Sequence, residues 1–117
     1  MDRVLIEALK AEASIGIFEW EQRIRQQIVF DLELSADAAR AAASDRIEDA
    51  VDYKAVSKRV RELAGEGRWG LVETLAEATA RCLREEFGIA WVRVSVRKPG
   101  AVTGAAAVGV CIERGDG

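Results

Sequence analysis

Residues 27–35, QIVFDLELS, alternate apolar and polar side chains: Ile28, Phe30, Leu32 and Leu34 point one way, Asp31, Glu33 and Ser35 the other. Such a segment is a strand with one dry face and one wet face, and it needs a cover on one side only. The pattern returns near the other end of the chain. WVRVSVRK, residues 91–98, turns Val92, Val94 and Val96 inward, and AVGVCIER, residues 107–114, does the same with Val108, Val110 and Ile112. RVLIEALKA, residues 3–11, reads as a further strand, with Val4, Ile6 and Ala8 on one face and Leu5, Glu7 and Leu9 on the other. It joins residues 27–35 through SIGIFEWEQRIRQ, a connection containing Gly16, and the two strands make a hairpin.

Between these strands the apolar period changes. YKAVSKRVRELA, residues 53–64, spaces Val56, Val60 and Leu63 as a helix does, and Gly65 and Gly67 end it. In LVETLAEATARCLREEF, residues 71–87, Leu71, Leu75, Thr79, Cys82 and Glu86 fall roughly on one line, with Val72, Ala76 and Leu83 beside it. Gly88 is a natural stop. Residues 36–52 read as a crossover with a helical turn, because Ser44-Asp45 interrupts an alanine-rich run.

The order is β-β-α-α-β-β: an α+β fold, four antiparallel strands with two helices on one face. The 117 residues fit one domain, 1–117, with a modest core. An open sheet has two edges, and nothing on the first strand defends its edge. Edge-to-edge pairing repeated about an axis closes a barrel, so a ring-shaped homo-oligomer is expected, with sites shared between subunits.

Composition narrows the function. Basic and acidic residues are interspersed at a net charge of −3, with no basic stripe for nucleic acid and no basic amphipathic helix for a membrane. No apolar run approaches the ~20 residues of a membrane span. The start, MDRVLIEALKAEAS, carries an early acid and is not a secretion signal. Cys82 and Cys111 are isolated, which suits free thiols in a reducing cytoplasm. The chain has no histidine, so the common zinc sets are missing and a protein-bound transition metal is not expected.

Four polar residues stand out, and on spacing alone each has an ordinary explanation. Lys98 stops a strand against Pro99, where a solvated lysine is unremarkable. Glu73 lies in the first turn of a helix, where a carboxylate complements the dipole. Tyr53 opens the preceding helix as a half-buried aromatic with a wet hydroxyl. Glu21 is a loop acid beside Glu19.

Together they carry more. GIFEWEQ, DAVDYKAV, LVETLAE and VRKPGAV, in this order and spacing, closely resemble the bacterial dihydroneopterin aldolases of folate biosynthesis, and the similarity runs from DRVLIEAL to VGVCIERG. The resemblance implies the tunnelling fold (T-fold), with tetrameric rings that stack into octamers. It implies a metal-independent, Schiff-base-independent lyase, with no cofactor, that splits 7,8-dihydroneopterin into 6-hydroxymethyl-7,8-dihydropterin and glycolaldehyde. It also implies a 2′-epimerase side activity.

By this resemblance Glu73 anchors the pterin ring, helped by the backbone at Val51, Leu71 and Val72. Glu21 and Tyr53 bind substrate and act with Lys98 in catalysis. Two positions depart from the pattern: Ile15 stands where many members have histidine, and TGAAAVGV lacks an acid or aromatic often found before VGV. Both bear on substrate preference rather than on the chemistry.

The residue types suit such a reaction. Most aldolases need a lysine Schiff base or a metal as electron sink. Dihydroneopterin carries its own imine, N5=C6, next to the bond that breaks. The enzyme is left to hold the ring and move protons. A carboxylate accepts the ring's 2-amino group and N3–H as a forked pair, and in a chain without histidine lysine and tyrosine are the proton carriers. Free lysine has a pKa of ~10.4, high for a base near neutrality. Burial would lower it and Glu21 would raise it, so Lys98 acts either as a neutral base or as a fixed cation. A dedicated dihydroneopterin or dihydroneopterin triphosphate 2′-epimerase uses the same groups, and a pterin-binding oligomeric module without activity is the non-enzyme alternative.

Overall fold

The computed structural model describes residues 1–116. Its longest strand, β1 (Asp2–Ile15), pairs antiparallel with β2 (Gln26–Ala36) through a connection that holds the short helix α1 (Glu19–Gln22). Helix α2 (Ala38–Ser44) and a 3₁₀ turn (Ile47–Asp49) lead to helix α3 (Tyr53–Glu66), the two-residue strand β3 (Arg68–Trp69) and helix α4 (Val72–Glu86). Strands β4 (Trp91–Pro99) and β5 (Ala107–Gly115) complete an α+β sheet of order β3-β1-β2-β4-β5.

Four of these strands match the expected antiparallel set. The fifth corrects it: β3 pairs parallel with the end of β1, Ser14 opposite Arg68 and Ile15 opposite Trp69, so the sheet is mixed. A two-residue strand has no periodicity to read. Residues 38–44 form a complete short helix, begun by the Asp37 carboxylate accepting from Arg40 N at 3.0 Å and closed by Asp45 in the left-handed region. The Ser44-Asp45 interruption is therefore the end of a helix.

The alternation expected for β1 also fails halfway along. Ile6 sits opposite Leu32 and Leu9 opposite Phe30, so Glu7 and Ala8 together face Asp31. This bulge puts Ala8 at φ 51 and reverses the phase. Leu9, not Ala8, packs against the core, followed by buried Ala11, Ala13 and Ile15. Asp31 holds the bulge by accepting from Ala8 N at 2.9 Å, and its other oxygen accepts from Arg97 Nη2 at 2.6 Å.

The covered face is as the alternation requires. Ile28, Phe30, Leu32, Leu34, Val92, Val94 and Val96 are fully buried, each burial worth about 2 kcal/mol. Against them lie Val56, Val60 and Ala64 of α3 and Leu75, Ala76, Ala80 and Leu83 of α4. Buried Thr79 satisfies its hydroxyl by donating to Leu75 O at 2.8 Å. On β5, Val110 and Ile112 pack on the core while Val108, opposite Lys98 on the edge strand, stays exposed. Arg59 ties α3 to α4 by donating to Glu86 at 2.9 Å. Both thiols are free: burial pushes the Cys82 thiol up to about 11, and Cys111 is exposed. Among the described residues no helix is long and apolar enough to cross a membrane.

The connections fix which residues share an end. β1 finishes where β2 starts, and β4 finishes there too, with Val29 paired to Arg97. α4 turns directly into β4, so its first turn returns to the same end as Lys98. α3 runs the other way: its last turn reaches β3 at this end, and Tyr53 lies a helix length away, about 20 Å.

Candidate active site

Residues 16–22 leave the sheet at Gly16 and fold back so that Glu21 is buried, at 7% exposure. Lys98, on the last turn of the β4 ladder, reaches it: Nζ donates to Glu21 Oε2 at 2.6 Å. The Phe18 backbone N–H donates to the other oxygen at 3.3 Å. The hydrogen bond from Lys98 is the main cause that holds the Glu21 carboxyl below its ordinary value, assisted by Phe18 and opposed by burial. Neither residue keeps its ordinary reading. Lys98 is not a solvated strand end, and Glu21 is not a loose loop acid; the two form one partly dehydrated ammonium–carboxylate pair.

Gly16 makes room for that pair. Its φ is +139, which disfavours any side chain, and an added Cβ would stand 2.1 Å from Glu21 Cδ. The carboxylate occupies the space a Cβ would need. Gln26, at the start of β2, donates to Ile15 O at 2.7 Å and also helps lower the Glu21 carboxyl.

A second carboxylate arrives from the neighbouring element. Gly16 N donates to Trp69 O at 2.8 Å, and the Trp69 indole is fixed by donating to Ala64 O at 3.0 Å. From Trp69 the chain passes through Gly70 to Leu71, which starts α4 without a side-chain cap. Glu73 follows in the first turn, exposed, where the helix dipole favours an ionised carboxylate. Glu21, Lys98, Leu71, Val72 and Glu73 therefore share one end of the molecule.

Val51 and Tyr53 do not join them. Tyr53 is 55% exposed at the far end of α3. It lines a cavity of about 710 Å3 together with Val51, Arg3, Leu5, Asp37 and Phe87. A larger groove of about 750 Å3 runs from Tyr53 along α3 beside β1. Neither cavity includes Glu21, Glu73 or Lys98. Among the described residues no group of three His, Cys, Asp or Glu side chains is placed to hold a metal ion.

The model of the family FolB, dihydroneopterin aldolase, matches residues 4–113. Dihydroneopterin aldolase of Escherichia coli K12 is 44% identical over 116 residues, spanning 99% of this chain and 95% of its own length. The chain belongs to the dihydroneopterin aldolase family. The crystal structure of the E. coli dihydroneopterin aldolase in complex with neopterin superposes with a TM-score of 0.94 at 44% identity, covering 98% of this chain and all of that one. A Burkholderia dihydroneopterin aldolase bound to guanine gives a TM-score of 0.82 at 27% identity, covering 99% of this chain and 92% of that one.

The structure brings Lys98 and Glu21 into contact and places Glu73 at the same end, and the groups that hold them there leave little local mark on the sequence. The sequence marks Gly16 only as part of the connection between two strands, whereas its bare Cα face seats the Glu21 carboxylate. Gln22 and Trp69, which tie the Glu21 side of this end to the Glu73 side, meet through contacts far apart in sequence. The glutamine directly after Glu21 was the only local signal.

Proposed function

We propose that this chain is a dihydroneopterin aldolase. It cleaves 7,8-dihydroneopterin between C1′ and C2′ to give 6-hydroxymethyl-7,8-dihydropterin and glycolaldehyde, a lyase step of folate biosynthesis. The observation that carries this reading is the buried Lys98–Glu21 pair at the sheet end that also bears Glu73.

Glu73 accepts N3–H and the 2-amino group of the pterin as a forked pair. The uncapped start of α4 leaves the backbone at Leu71 and Val72 free to meet the ring edge, and Val51 adds a contact. Guanine presents the same amino-keto pyrimidine edge as a pterin, so the guanine-bound relative fits an anchor that reads this edge. The Lys98–Glu21 pair takes the side-chain hydroxyls. As the 2′-hydroxyl loses its proton to the pair, the C1′–C2′ bond breaks, its electrons form a C1′=C6 double bond, the N5=C6 π pair passes to N5, and N5 gains a proton. C2′ departs as the aldehyde carbon. Tyr53 then relays a proton to C1′ of the enol, N5 gives up its own, and the imine is restored. The pterin supplies the electron sink, so the scheme calls for no Schiff base and no cofactor.

A homo-oligomer completes the site. Tyr53 and Val51 sit a helix length from Lys98 within one chain, and β3 covers only Ser14 and Ile15 of β1. The remainder of that edge, and the outer edge of β5, are open to pairing. A tetrameric ring stacked into an octamer would bring Tyr53 and Val51 of one copy to Lys98, Glu21 and Glu73 of the next.

The deciding experiment is incubation of the purified protein with 7,8-dihydroneopterin and excess EDTA, with products separated by chromatography. Release of 6-hydroxymethyl-7,8-dihydropterin with glycolaldehyde is expected. Formation of the 2′-epimer alone, or no turnover, would overturn the assignment.

A further inference from the structure

The junction that spaces Glu21 from Glu73 depends on a residue to which the reaction gives no task. Gln22 Nε2 donates to Gly16 O at 2.5 Å and to Trp69 O at 3.0 Å. Both amide hydrogens are thus committed to backbone carbonyls on opposite sides of the β1–β3 pairing. Trp69 O accepts from Gly16 N as well, which closes the knot. β3 has only two residues, far fewer than the roughly five or six of an ordinary strand, so its own ladder holds register weakly. On one side of the knot the chain leads into α1 and Glu21. On the other it leads through Gly70 and Leu71 into Glu73.

We propose that Gln22 is a positioning residue that sets the separation between the Lys98–Glu21 pair and Glu73, and so brings the substrate's side chain into line for cleavage once its ring is held. The inference rests on the reading that Glu73 takes the ring and the Lys98–Glu21 pair takes the side chain. Ring binding needs Glu73 and the start of its helix. Cleavage needs both ends in register, and a misplacement on the order of 1 Å costs on the order of 100-fold in rate. Loss of Gln22 therefore lowers kcat far more than it lowers affinity for the ring. A general loosening of the fold would weaken both together.

The test uses the whole protein and the variant Gln22→Met, which keeps the length of the side chain and removes both donors. Two quantities are read: kcat on 7,8-dihydroneopterin, and Kd for 6-hydroxymethylpterin, which has the ring without the cleavable side chain. The expected result is a loss in kcat of about 30- to 100-fold with Kd within about threefold of the parent. Gln22→Asn, whose shorter amide cannot span both carbonyls, is read in the same way and decides the matter if Gln22→Met does not fold. A variant kcat within about twofold of the parent, or equal losses in kcat and ring affinity, overturns the positioning role. A parent protein that releases no glycolaldehyde overturns the aldolase reading and this inference with it, an outcome distinct from a normal parent with an unaffected variant.

Discussion

At the Gly16 end of the sheet the polar groups around Lys98 are already engaged within one chain, and Glu73 alone of the matched charged residues there stays exposed. Lys98 holds Glu21, Phe18 N–H supports it, and Gln22, Gln26 and Trp69 tie the backbone beneath. At the Tyr53 end the matched residues face outward, with Tyr53 at 55% exposure beside an open cavity. The difference is one of preparation. A buried ion pair must be built internally, since an unpaired charge in that place would be costly. In the proposed ring, a phenol that meets the ligand from another copy has to stay uncovered within its own chain.

The largest effect should come from breaking the prepared end. Lys98→Ala removes the proposed proton carrier and is expected to lower kcat by about 10³-fold, roughly 4 kcal/mol, with affinity for 6-hydroxymethylpterin moderately retained. The same variant tests whether the two ends meet across copies. Tyr53→Phe damages only the exposed end. When the two variants are unfolded, mixed equally and reassembled, about a quarter of the pockets should combine an intact Lys98 with an intact Tyr53. Activity well above the sum of the separate variants is expected. No recovery on mixing would place both residues in one pocket of one chain.

Glu73 lies at the same end as Lys98, and the proposed reaction gives it a different task. Glu73→Gln keeps the shape and loses the second acceptor for the forked pair. Charge-assisted hydrogen bonds are worth about 1.5–3 kcal/mol, so Kd for 6-hydroxymethylpterin should rise on the order of 10- to 100-fold. Titration by fluorescence measures it, and unchanged affinity would remove Glu73 as the anchor. Lys98→Ala and Glu73→Gln thus separate turnover from ring binding within a region that looks like one cluster.

The Glu21 carboxyl provides a gentler probe. Its folded pKa is depressed below the ordinary 4.5, mainly by the Lys98 hydrogen bond. The stabilising contribution is therefore fully present above the unfolded value. It is lost as pH falls from 4.5 through the folded value, where the carboxylate takes up its proton. Urea unfolding followed downward from neutral pH should show the parent losing part of its margin over Glu21→Gln in that acid range. A difference between the two that did not change with pH would mean that the pair adds nothing to folding.

Much of this was legible in the chain. Alternation in residues 27–35 and 91–98 dictated the sheet, and the helical spacing of Val56, Val60, Leu75 and Leu83 dictated its cover. Lys98, Glu73, Glu21 and Tyr53 emerged from four short motifs taken together. What could not be read were features made by distant contacts: the parallel β3 pairing, the seat that Gly16 offers to Glu21, and the two carbonyls held by Gln22. Local pattern also misled at Ala8, where strict alternation was extended through a bulge that Asp31 stabilises from the next strand.

That bulge lies between the two ends compared above, and it offers the smallest test. Val4 and Ile6 face the core on the Tyr53 side of it, and Leu9, Ala11, Ala13 and Ile15 face the core on the Gly16 side. Ala8 holds φ 51, a left-handed conformation that costs a residue with a Cβ about 1–2 kcal/mol. Glycine would relieve that cost and would give back about 0.4–1 kcal/mol through the freer unfolded chain. Ala8→Gly should therefore raise stability by roughly 0.5 kcal/mol in urea unfolding and leave kcat unchanged. The two halves of β1 would keep their phases, because the Asp31 carboxylate still accepts from the backbone N–H of residue 8. A fall in kcat with the stability gain would show that the methyl group, not just the bulge, sets how the two ends are aligned.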